Sequence, residues 1–81
     1  MTFHRLKNIE PLDGLMLRAE FQDGTAKTYD VRPLMEKIPV FRMLEYVPGL
    51  FRQVHVDTGG YGIMWNDEID LSCDELYENG R

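Results

Sequence analysis

The chain has few of the devices that small proteins use to hold themselves together. Its 81 residues include one cysteine and two histidines. A lone cysteine makes no intrachain disulfide, and His4, His55 and Cys73 are too scattered for a structural zinc site. A chain of this length buries only roughly 60–65% of the surface that its unfolded form exposes. Stability must therefore come from an apolar core, and a homodimer would add to it. A hydrophobic fraction of 43%, with one Trp, four Tyr and four Phe, is enough to build that core as a single domain over residues 1–81. No apolar run is long enough to span a membrane. Thr2–Lys7 is not followed by the apolar stretch of a signal peptide, so a cytoplasmic setting with a reduced thiol is expected.

Positive charge is scarce in the last third. The net charge is −5; residues 1–56 hold eight Lys/Arg and seven Asp/Glu, whereas residues 57–81 hold one and seven. Binding to a phosphate backbone needs clustered cations, so nucleic acid is not expected as a direct partner. The acidic end is either a solvated surface or a face for a basic partner.

Local patterns give the elements. Phe3–Ile9 reads as an edge strand, turned by Pro11 and Asp13-Gly14. In Leu15–Phe21 the residues Leu15, Leu17, Ala19 and Phe21 share one face. Gln22-Asp23-Gly24 then signals a hairpin. A two-residue loop would put Tyr29 and Val31 on the face opposite Leu17. A three-residue loop with Gly24 in a left-handed bulge pairs Phe21 with Thr25 and brings Leu17, Tyr29 and Val31 to one face. The bulged form is expected, because burial of one face sets register. Helices are expected over Pro33–Ile38 and Val40–Tyr46, divided by Pro39 and ended by Pro48-Gly49. Strands are expected at Leu50–Val56 and Tyr61–Trp65, the second with Tyr61, Ile63 and Trp65 on one face; Ile69–Leu71 is a brief extended segment. Ser72-x-x-Glu75 forms a capping box for a terminal helix that frays at about residues 78–81. The fold class is α+β: a mostly antiparallel sheet of paired hairpins with short helices.

Phe21-x-Asp23-Gly24, Tyr29-Asp30-Val31-x-Pro33-Leu34, Phe51-x-x-Val54 and Trp65-Asn66-Asp67-x-Ile69-Asp70-Leu71-Ser72-x-Asp74-x-Leu76-Tyr77 occur here in order. In this ordered set the chain resembles a family of small, mainly bacterial proteins, domain-of-unknown-function family 2442. Asn66 departs from it, since many relatives carry Pro or another turn former there, which alters only the turn. The resemblance implies a compact α+β domain and no assigned catalytic residue. It also implies a partner encoded beside it, with an antitoxin-like role in a two-protein system. Some related domains precede a helix-turn-helix segment; this sequence stops short of one, which argues against direct DNA binding.

No constellation carries obvious chemistry. Cys73 falls in the first turn of the terminal helix, yet Asp70, Asp74 and Glu75 oppose a thiolate there. His55 lies on a strand face with Gln53, and no carboxylate is placed to orient it as a base. Asp67, Glu68, Asp70, Asp74 and Glu75 lack the alternation and mid-loop glycine of a calcium site, and Asp30, Asp67 and Asp70 suit turns and caps. Gly59-Gly60-Tyr61-Gly62 lacks the lysine and following helix of a phosphate loop. Trp65 is a binding candidate by residue type, although alternation with Ile63 favours the core. No catalytic residue, metal or cofactor is expected. The leading expectation is a non-catalytic protein-interaction module whose binding residues are drawn from Asp67, Glu68, Asp74, Glu75, Trp65 and His55, with a basic, genetically adjacent protein as partner. A small-molecule-binding domain or enzyme subunit using His55 is the alternative, and an accessory to a DNA-bound regulator is the third.

Overall fold

A computed structural model describes residues 4–81. Two three-stranded antiparallel sheets are joined by short helices, and one core runs between them. The first sheet has the order β1 (Leu6–Leu12), β2 (Met16–Phe21), β3 (Ala26–Asp30). A helical stretch follows: α1 (Arg32–Lys37), a 3₁₀ turn at Pro39–Arg42, α2 (Met43–Tyr46) and a second 3₁₀ turn at Phe51–Gln53. The second sheet has the order β4 (His55–Val56), β5 (Gly62–Met64), β6 (Asp70–Ser72), and α3 (Cys73–Asn79) closes the chain.

The bulged hairpin between β2 and β3 is the one formed. The Phe21 amide donates to the Thr25 carbonyl at 2.8 Å, and the Gly24 amide donates to the Phe21 carbonyl at 3.0 Å. Gly24 adopts φ +92°, a conformation that costs little only without a Cβ. The Asp23 carboxylate accepts from the Thr25 amide at 2.8 Å, and this bond holds its carboxyl below the usual range. The resulting register sets Leu17 opposite Tyr29, while the Val31 amide donates to the Leu15 carbonyl. Leu17, Ala19, Phe21, Tyr29 and Val31 are all buried.

The sheets meet where β1 passes the turn before β5. The Leu6 amide donates to the Gly60 carbonyl at 2.7 Å. Gly60 has φ +76°, and a Cβ there would press on the Leu6 backbone.

Several sequence expectations are corrected. Phe3 lies outside the described residues. β1 continues through Pro11 to Leu12, which an edge strand tolerates because its outer side needs no donor. Of Leu50–Val56, only His55–Val56 is strand. Leu50, Phe51 and Val54 are all buried, so this segment has no alternating face; it coils after Gly49 to insert three apolar side chains in turn. Tyr61 does not join Ile63 and Trp65 in the core. The Asp57 carboxylate captures the Gly59 and Tyr61 amides, and the Tyr61 ring lies outside beneath Arg5. Only half of the capping box forms: the Ser72 hydroxyl accepts from the Glu75 amide at 3.1 Å, while the Glu75 carboxylate bonds Tyr29 instead. The tail is also held. The Gly80 amide donates to the Leu76 carbonyl and the Arg81 amide donates to the Thr28 carbonyl at 2.7 Å. Gly80 permits this close approach, because a Cβ would overlap the Leu76 carbonyl oxygen and crowd Lys27.

Leu17 has no exposed surface. Leu17→Ala is expected to destabilise the protein by about 3 kcal/mol, through lost burial and a residual cavity, read as a lower urea midpoint with an unchanged slope. A loss below about 1 kcal/mol would mean that this face of β2 is not the core.

Candidate functional site

Trp65 is buried, with 3% of its surface exposed, and this removes it from the binding candidates. Its indole N–H donates to the Phe51 carbonyl at 3.0 Å. Its ring stacks against Phe51 and meets Phe41 edge-on, both with centroids 6.1 Å away. The coiled segment after Gly49 supplies that carbonyl, so the sole Trp ties the helical stretch to the second sheet. A buried indole needs such a partner.

The four acidic candidates do not form one cluster. Asp67 and Glu68 are exposed at the turn between β5 and β6. Asn66, rather than an aspartate, braces that turn by accepting the Glu68 and Ile69 amides at 2.9 and 3.0 Å. Asp70 is exposed on β6 opposite Met64, and Ser72 caps α3 in its place. Asp74 is exposed in the first turn of α3. Glu75 is half-buried and accepts from the Tyr29 hydroxyl at 2.7 Å. Among the described residues none of Asp67, Glu68, Asp70 and Asp74 is in an ion pair.

His55 is exposed, and its Nδ1 lies 3.0 Å from the Gln53 carbonyl. It pairs across strands with Met64, which pairs in turn with Asp70. Two inter-strand steps separate the His55 and Asp70 backbones by about 10 Å. The two grooves described below both exclude His55. Among the described residues His55 is in no ion pair with a carboxylate. Among the described residues no three His, Cys, Asp or Glu side chains converge as metal ligands.

Cys73 is buried, with its thiol 2.9 Å from the Gly60 carbonyl. Burial pushes its pKa up, opposing the thiolate, and Asp57 and Asp74 add to the effect.

The larger groove has about 730 Å³ of volume and lies between β3, α1 and α3. Sequence analysis did not find it, because its walls come from residues 28–37 and 75–81, which have no local signal in common. Its polar lining holds Arg32, Lys37 and Arg81 facing Asp30 and Glu75. Asp30 takes the Arg32 backbone amide at 3.0 Å and both sides of its guanidinium at 2.9 and 2.8 Å. The Arg32 guanidinium, with a smaller contribution from Arg81, holds the Asp30 carboxyl below the usual carboxylate range. Burial, then the hydrogen bond to Glu75, pushes the Tyr29 hydroxyl well above its ordinary value, so it remains a donor. A smaller groove of about 230 Å³ lies over β5, bordered by Asp57, Tyr61, Met64 and Asp70.

Residues 6–81 match the family described as Protein of unknown function (DUF2442). The chain belongs to that family. No curated protein matches it. Among solved structures it is similar to the crystal structure of a Nitrosomonas europaea protein named "Putative DNA Binding Protein", at 26% identity and a TM-score of 0.79. That match covers 95% of this chain but 48% of the other, so this DUF2442 domain spans about half the length of its neighbour.

Two outcomes follow from the site chemistry. Cys73 is expected to resist a thiol reagent in the native protein and to react fully in denaturant; rapid native labelling would contradict its burial. Asp30 has a depressed folded pKa, so its pair with Arg32 stabilises the fold above the unfolded carboxyl range and is lost as pH falls through the folded value. The stability difference between wild type and Asp30→Asn should be constant above about pH 5 and shrink below about pH 3.5, as measured by urea titration at each pH. A difference independent of pH would show that the carboxylate charge contributes nothing.

Proposed function

We propose that this DUF2442 protein is a non-catalytic protein-interaction module, the antitoxin-like member of a two-protein system, which uses its acidic end to engage a basic partner in the cytoplasm. The observation that carries this reading is the distribution of exposed charge. Residues 57–81 hold seven of the fourteen acidic residues and one cation. Asp67, Glu68 and Asp74 project from a turn and a helix start, and they take no part in ion pairs among the described residues. Charges held this way steer a complementary partner at little cost to the fold. Asn66 braces the backbone of the acidic turn. Trp65 and the carboxylate of Glu75 are structural and stand apart from this surface.

A second reading, an accessory to a DNA-bound regulator, is favoured by the name of the Nitrosomonas europaea neighbour. That name bears against the expectation that nucleic acid plays no part. The two are reconciled if contact with DNA belongs to the half of the neighbour that this chain does not match, while the shared half binds protein. A chain of net charge −5 is poorly suited to phosphates on its own.

The test is a triple variant, Asp67→Lys, Glu68→Lys and Asp74→Lys, which leaves Glu75 and the Ser72 cap intact. Affinity-tagged wild type should retain one stoichiometric basic protein from nuclease-treated lysate of the source cells, and the triple variant should lose it. Equal retention would rule out the acidic surface. Direct binding of the isolated chain to duplex DNA, weakening steeply with salt, would replace the protein-binding reading with a nucleic-acid one.

A further inference from the structure

The groove between β3, α1 and α3 has features that the acidic surface does not explain. It is a concavity of about 730 Å³ in a domain of 81 residues. That volume lies within the range of small-molecule sites, about 300–1,000 Å³. Its charge is opposite in sense to the molecule as a whole: three cations face two carboxylates, in a chain of net charge −5. Both carboxylates are already engaged. Asp30 is gripped by Arg32 through two side-chain bonds, and Glu75 is held by the Tyr29 hydroxyl. Among the described residues Lys37 and Arg81 are in no ion pair. The rest of the lining is mixed: Met16, Pro33 and Leu34 are apolar, while Thr28 and Asn79 bring polar groups.

Hydrogen bonds hold part of its wall. Asp30 fixes the Arg32 guanidinium by two parallel bonds, so this cation reaches a ligand without first being ordered. The Arg81 backbone is anchored on Thr28, which sets one end of the groove. Lys37 is exposed on the last turn of α1.

We propose that this groove binds a small organic anion, a carboxylate or phosphate monoester with an apolar body, with its charge set among Lys37, Arg81 and Arg32 and its body against Met16, Pro33 and Leu34. This site is separate from the acidic surface, and it stands or falls independently of the protein-interaction reading.

The experiment is two-dimensional amide NMR on the full chain, titrated with phenylbutyrate, phenyl phosphate and glutarate, each beside its neutral amide or alcohol, and with inorganic phosphate alone. Saturable shifts at residues 28–37 and 75–81 with at least one organic anion, absent with its neutral counterpart, would support the site. Lys37→Glu is exposed and should preserve the spectrum of the fold while weakening that binding about ten-fold, the loss of one charge-assisted contact. Four results would overturn the proposal: no saturable shifts with any organic anion, equal shifts with the neutral counterparts, inorganic phosphate binding as tightly as the organic anions, or undiminished affinity in Lys37→Glu. The triple variant at Asp67, Glu68 and Asp74 should retain anion binding, which separates failure of this site from failure of the acidic surface.

Discussion

The register of the β2–β3 hairpin is the constraint from which most of the molecule follows. Gly24 at φ +92° admits the extra loop residue, and that residue puts Tyr29 on the face of Leu17. A slip by one position would turn Tyr29 and Val31 to solvent and empty the core of the first sheet. With Tyr29 inward, its hydroxyl reaches Glu75 and gives α3 a fixed place against β3. Once α3 is seated, Gly80 lets the chain approach Lys27, and Arg81 bonds Thr28. The larger groove exists because those steps leave α3 and α1 on either side of β3.

The second sheet is short, and its strands hold two or three residues each. Such strands have little stability alone. They persist because Trp65 packs against the helical stretch, Ile63 is buried in the core and the Gly60 carbonyl is bonded by Leu6 of the first sheet. The lone Trp therefore acts as a joint: its ring packs with Phe41 and Phe51, and its N–H takes the Phe51 carbonyl. This explains why its residue type, typical of binding hot spots, serves packing here. A domain with no disulfide uses its largest side chain where most surface is removed from water.

The function proposed for this DUF2442 domain rests on surfaces rather than on a reactive centre. The single thiol is buried and its ionisation disfavoured, while the exposed imidazole of His55 is in no ion pair among the described residues. What remains outside is an acidic turn, an acidic helix start and a cation-bearing groove. The similar Nitrosomonas europaea protein is about twice as long as this chain.

The sequence by itself determined the local elements. Alternation marked β2, Asp23-Gly24 marked the bulged turn, Pro33 and Pro39 bounded α1, and Ser72 marked the start of α3. These signals are short-range, set by backbone sterics and nearby hydrogen bonds. The same linear order carried the family resemblance. Tertiary structure alone decided the rest. It divided the strands into two sheets, coiled Leu50–Val54 to deliver three buried side chains, and sent Glu75 to Tyr29 rather than back to its own cap. It also assembled the groove from segments about forty residues apart. Which distant partner a carboxylate or carbonyl takes depends on what packing brings near it. No local pattern encodes that choice, because its energy is a property of the assembled core.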